Sequence, residues 1–147
     1  MTRAALLLAA LTLAGCATGP GLKPFHSDGC TLFPDGGLAR DSAQWCECCY
    51  AHDLVYWRGG TADERRVADQ KLRECITARA DSPALGTLME AGVRVGGHPV
   101  FPMWYRWGFG WDYGRGYAPL TEPEQALVRT RLGEIPAGDE AKVCPVP

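Results

Sequence analysis

The chain has 147 residues, with 15 Lys and Arg against 17 Asp and Glu and a formal net charge of −2. Neither sign gathers into a long run, which argues against nucleic acid as a partner. The length suits one domain with a modest core and leaves no room for two comfortable ones.

The start reads as an export signal. Arg3 precedes an apolar run from Ala4 to Leu13, too short to span a bilayer as a mature helix. Leu13-Ala14-Gly15-Cys16 then resembles the lipobox of bacterial lipoproteins. The resemblance implies a signal peptide over 1–15, cleavage before Cys16 and a lipid anchor on that cysteine. Ala17, where aspartate would mark retention, implies the outer membrane of the cell envelope. The competing readings are an ordinary signal peptide and a buried N-terminal helix. Residues 16–27, broken by Gly19-Pro20-Gly21 and Pro24, read as a tether that does not fold alone, with the domain proper at 28–147.

With Cys16 assigned to lipid, Cys30, Cys46, Cys48, Cys49, Cys75 and Cys144 remain, and six thiols in an oxidising compartment read as three disulfides. A soft-metal site from Cys46, Cys48, Cys49 and His52 lacks the second paired half that zinc motifs carry. Covalent haem is excluded because Tyr50 follows Cys49 where histidine is required.

The segment from Asp28 to Gly37 has turn chemistry at both ends and reads as a loop. From about Asp41, Trp45, Cys48, Cys49, His52, Val55 and Tyr56 recur at three- and four-residue steps, which predicts a helix ended by Gly59-Gly60. Thr61-Ala62-Asp63-Glu64 fits a capping box opening a second helix, whose inward stripe is Arg65, Asp69, Leu72, Cys75 and Ile76. The short connection predicts an antiparallel hairpin. A third helix starts at Ser82-Pro83 and fades by Gly96-Gly97, and Thr121-Glu122-Pro123-Glu124 opens a short C-terminal helix toward Gly133. Between them, 99–117 is rich in aromatic residues and glycine. Its rings form either a rim that dips into a lipid interface or walls an acyl-chain channel, or else a lid over a small core.

The chemistry concentrates at Cys48-Cys49-Tyr50-Ala51-His52-Asp53. An imidazole can draw a proton from water, and the adjacent carboxylate can hold a hard cation, a pairing suited to metal-assisted hydrolysis. His52 lies roughly 10 Å below the interhelical turn and Asp69 roughly 12 Å along the second helix, so the two fall at one level. Asp69 then orients the ring, or else meets Arg65 or Arg66.

Cys-Cys-x-x-His-Asp followed by an antiparallel helix bearing an aspartate resembles the secreted phospholipase A2 superfamily, over Cys30 to Ile76. The resemblance implies a mainly α fold built on a disulfide-linked two-helix hairpin with a calcium-type loop before it. It assigns His52 to water activation, Asp69 to orienting His52, and Asp53 to calcium, with carbonyls near Gly29, Thr31 and Phe33 as further ligands. It also implies the bonds Cys30–Cys49 and Cys48–Cys75, leaving Cys46–Cys144. The chain departs from the family at Cys30-Thr31-Leu32-Phe33-Pro34, where bulkier residues and a proline replace a glycine-rich loop.

The implied activity is calcium-dependent hydrolysis of the sn-2 ester of glycerophospholipids at a membrane, by a lipid-anchored enzyme. Head-group preference and any restraining partner protein stay open. The alternative from another class is a membrane-anchored binding or structural lipoprotein on the same scaffold. No P-loop, dinucleotide fingerprint, nucleophile elbow or metalloprotease helix competes.

Overall fold

The computed structural model describes residues 21–37 and 43–145. Within them the protein is mainly helical, with five helices, no strand and three disulfides: α1 Cys46–Arg58, α2 Ala62–Ala80, α3 Pro83–Gly96, α4 Glu122–Gly133 and α5 Asp139–Val143. None of these helices is long and apolar enough to cross a membrane. Cys16 and the whole of 1–20 lie outside the described residues.

Local chemistry sets most helix ends. Gly59, at φ 69°, turns its N–H back onto Val55 and Tyr56 and stops α1. Both halves of the capping box are made at Thr61 and Glu64, opening α2, and again at Thr121 and Glu124, opening α4. Ser82 caps α3, with Pro83 in its first turn. The first helix begins at Cys46, later than the pattern from Asp41 predicts. Residues 43–45 form a turn in which Trp45 bonds by its backbone N–H to Asp35 and by its indole to Pro34, so this stretch serves the preceding loop.

The α1 and α2 helices run antiparallel, since Cys48 bonds Cys75 while His52, one turn further on, meets Asp69. The other bonds are Cys30–Cys49, tying the 28–37 loop to α1, and Cys46–Cys144, tying the tail to its start; these are the pairs that the resemblance implies. Leu72, Ile76 and Met89 pack with Cys48 and Cys49 between α1, α2 and α3.

A second, aromatic core lies at the far end of α1. Trp57, Trp107 and Trp111 are almost wholly buried there, together with Leu22, Tyr56 and Phe109. Within the 16–27 segment read as a tether, the described residues 21–27 pack onto this core. Leu22 is 2% exposed, the Lys23 backbone exchanges hydrogen bonds with Gly110 and the Trp57 indole, and Phe25 packs edge-on to Tyr50 and Trp57. Leu22 and Phe25 thus supply apolar surface to a core with few aliphatic side chains, which offsets the breaking tendency of Pro24.

The same packing divides the aromatic segment. Arg106 to Trp111 is buried, whereas Phe101, Trp104 and Tyr113 stay exposed. Buried Arg106 donates to the carbonyls of Trp107, Gly108 and Trp111, which coils this stretch around one guanidinium. Its N–H groups then reach the open end of α1: Gly108 donates to Tyr56, Gly110 to Trp57, and the indoles of Trp111 and Trp107 to Arg58 and Gly60.

Candidate active site

One face of α1 carries His52, Asp53 and Tyr56 into a cavity of about 300 Å³. The cavity is walled by α2 at Leu72, by α3 at Met89 and Val93, and by the loop from Gly29 to Phe33. Leu32 and Leu88 line it yet are 88% and 58% exposed, so they stand at its edge.

His52 Nε2 lies 3.1 Å from Asp69 Oδ1, with both side chains buried. Burial lowers the pKa of His52, opposed by the hydrogen bond and charge of Asp69 and assisted by Arg65. The ring is therefore held neutral near pH 7. A carboxylate accepts only from a protonated nitrogen, so Nε2 carries the hydrogen and Nδ1 is left with a free lone pair. A neutral imidazole with that lone pair can act as a general base.

Of the partners open to Asp69 in the sequence, the structure brings His52 to hydrogen-bond distance and Arg65 to its other oxygen. Arg66 pairs instead with Asp63. Arg65 remains near Asp69, with Nε 3.8 Å from Oδ2. Sequence reasoning missed two further participants. The Tyr56 hydroxyl donates to Asp69 Oδ1 at 2.6 Å and accepts from Arg65 Nε at 3.1 Å. Tyr56 sits one helical turn after His52, and that spacing is the signal that could have placed it here. Arg94, on α3, brings Nε to 3.5 Å from Asp69 Oδ2, and no local pattern announces it.

Asp53 is half-buried and lines the same cavity. Burial, aided by the charge of Asp28, pushes its carboxyl up to about 7 against the lowering effect of the Ser27 hydroxyl, which donates at 2.6 Å. Among the described residues no basic side chain pairs with it.

The loop opposite turns tightly, with Phe33 N–H donating to the Cys30 carbonyl and Leu32 at φ 59°. A left-handed leucine is uncommon, and such conformations cluster at functional sites. The carbonyls of Gly29, Thr31 and Phe33 accept no hydrogen bond from the described residues. No three His, Cys, Asp or Glu side chains gather as a metal cluster among the described residues. A cation here would lean on Asp53 and backbone oxygens, the hard donor set that calcium takes. The six cysteines named above as possible soft-metal ligands or disulfide partners are all bonded in pairs.

No family model, no curated protein and no solved structure matches the chain.

Proposed function

We propose that the protein is a calcium-dependent esterase of the phospholipase A2 kind, acting on the sn-2 ester of glycerophospholipids at a membrane surface. The observation that carries this reading is the His52–Asp69 pair at the wall of an apolar cavity, next to a half-buried carboxylate with no basic partner among the described residues. An acyl chain suits walls of Leu72, Met89 and Val93, and the exposed Met103 and Trp104 suit contact with lipid.

In the proposed reaction His52 Nδ1 takes a proton from water as the water oxygen bonds to the ester carbonyl carbon. Asp69 stabilises the resulting imidazolium through Nε2–H. His52 then returns the proton to the glycerol oxygen as its bond to carbon breaks, releasing fatty acid and lysolipid. Asp53 and the carbonyls of Gly29, Thr31 and Phe33 would hold the calcium ion, which supplies positive charge for the developing oxyanion. The lipid anchor at Cys16 and the outer-membrane location belong to the same proposal.

The test is fatty-acid release from mixed phospholipid vesicles by the fully oxidised protein, with calcium and with chelator, beside His52→Gln. Release that needs calcium and falls at least a thousandfold in the variant is expected. Undiminished release by a folded His52→Gln protein would overturn the mechanism. No release by wild type would leave a binding lipoprotein as the better reading.

A further inference from the structure

Asp69 is 1% exposed, and its two oxygens live differently. The Oδ1 atom takes the Tyr56 hydroxyl and faces His52 Nε2. The Oδ2 atom is buried and has no hydrogen-bond partner among the described residues. A bare carboxylate oxygen in a dry core is costly unless charge faces it. Two guanidinium groups do: Arg94 Nε at 3.5 Å, from α3, and Arg65 Nε at 3.8 Å, from α2.

These arginines are not equivalent. Arg65 spends its hydrogen bonds on Tyr56, on the Tyr117 hydroxyl and on the carbonyls of Val93 and Arg94, so it is a strut between α2 and the end of α3. Arg94 makes no such net. Its Nη2 is held by Glu90 at 2.8 Å, and Glu90 is steadied in turn by Arg73 at 3.2 Å. With one end fixed by Glu90, Nε is presented to Asp69. A half-exposed arginine on a glutamate one turn away would ordinarily contribute little. What distinguishes this one is the orphaned, buried oxygen that it faces.

We propose that Arg94 is a positioning residue for the His52–Asp69 pair: its charge compensates Oδ2, so the carboxylate stays turned with Oδ1 toward His52 and holds the ring with hydrogen on Nε2. Without it Oδ2 keeps only Arg65 at 3.8 Å, the carboxylate is held less firmly against turning or recruiting another donor, and the ring loses part of its preference for the state that leaves Nδ1 open. The same α3 that carries Arg94 also walls the cavity through Met89 and Val93, so helix docking and ring orientation share one contact. The catalytic consequence rests on the proposed hydrolase reading; the effect on the ring does not.

The experiment compares ring nitrogen shifts of His52 in the ¹⁵N-labelled, oxidised full chain as wild type, Arg94→Gln, Arg94→Lys and Glu90→Gln, with vesicle hydrolysis in parallel. Wild type is expected to show the Nε2–H tautomer in large excess. Arg94→Gln is expected to cut that excess at least fivefold, Arg94→Lys to restore it in part, and Glu90→Gln to produce a smaller change in the same direction. The kcat for release should fall about tenfold in Arg94→Gln, with KM within twofold. An unchanged tautomer ratio in folded Arg94→Gln overturns the proposal. If that variant does not fold, an unchanged ratio in Glu90→Gln does the same. If wild type releases no fatty acid, the hydrolase reading fails while the tautomer comparison still decides the role of Arg94.

Discussion

Replacing Asp53 with asparagine tests whether the acid beside His52 is built to meet a cation. Its carboxyl rises from 3.8 to about 7, chiefly through burial. An acid with a raised folded value is stabilising while protonated: the benefit is complete below about pH 4 and is lost as pH climbs through 7. Three units correspond to a cost of about 4 kcal/mol at pH 8. Partial access to water reduces this, and we expect about 2 kcal/mol. Asparagine has nearly the same shape, offers an oxygen to the Ser27 hydroxyl and carries no charge. In chelator at pH 8, urea unfolding should therefore find Asp53→Asn more stable than wild type by about 2 kcal/mol, with the difference fading toward pH 4. Millimolar calcium should then raise the wild-type midpoint by mass action and leave the variant where it was. A variant no more stable than wild type in chelator at pH 8 would refute the electrostatic argument. Equal stabilisation of both proteins by calcium would refute Asp53 as its ligand.

Two further perturbations probe the support of the site. A methyl group added at Gly97 would press on the Tyr56 ring and lie 2.7 Å from the Val93 carbonyl. Gly97→Ala should cost about 1–3 kcal/mol in thermal unfolding and, on the proposed hydrolase reading, reduce hydrolysis by displacing the hydroxyl from Asp69; unaltered stability would show that the ring has room. Removing the Cys46–Cys144 bond, whose ends are 98 residues apart, should cost about 4.7 kcal/mol on the chain-entropy account. A loss below about 1 kcal/mol in the double alanine variant would mean that the bond between Tyr50 and Asp139 and the packing of Val143 already hold the tail.

The meeting of His52 with Asp69 was legible because every quantity it needs is local. Gly59-Gly60 and the Thr61–Glu64 capping box fix where α1 stops and α2 starts, and the helical rise then sets the level of each side chain. Arg94 was not legible, because its place depends on how α3 packs across α2, and its neighbours Met89 and Val93 read equally well as plain core. Helix α5 has only five residues and Gly138 as its cap, with no side-chain signature to read. Leu22 and Phe25 were hidden for a different reason: glycine and proline report that a segment lacks regular structure, not that it is unpacked.

The aromatic segment shows how a stretch far from the chemistry in sequence comes to govern it. A helix leaves its last carbonyls unpaired, and those of α1 meet the aromatic segment. The Gly108 and Gly110 N–H groups and the Trp111 indole take that role, the Trp107 indole adds a bond to Gly60 just beyond, and buried Arg106 holds the loop in the shape that lets them. Tyr56 is one of the residues whose carbonyl is capped in this way, and its hydroxyl is bonded to Asp69. The histidine's partner thus faces Arg65 of α2 and Arg94 of α3 and, through Tyr56, is tied to the Gly108 N–H at the end of α1. Hydrogen bonds between indoles and helix-end carbonyls leave no period in a sequence, so composition could raise a lipid rim or a core lid for 99–117 without choosing. The division into buried 106–111 and exposed 100–104 follows from what the end of α1 requires.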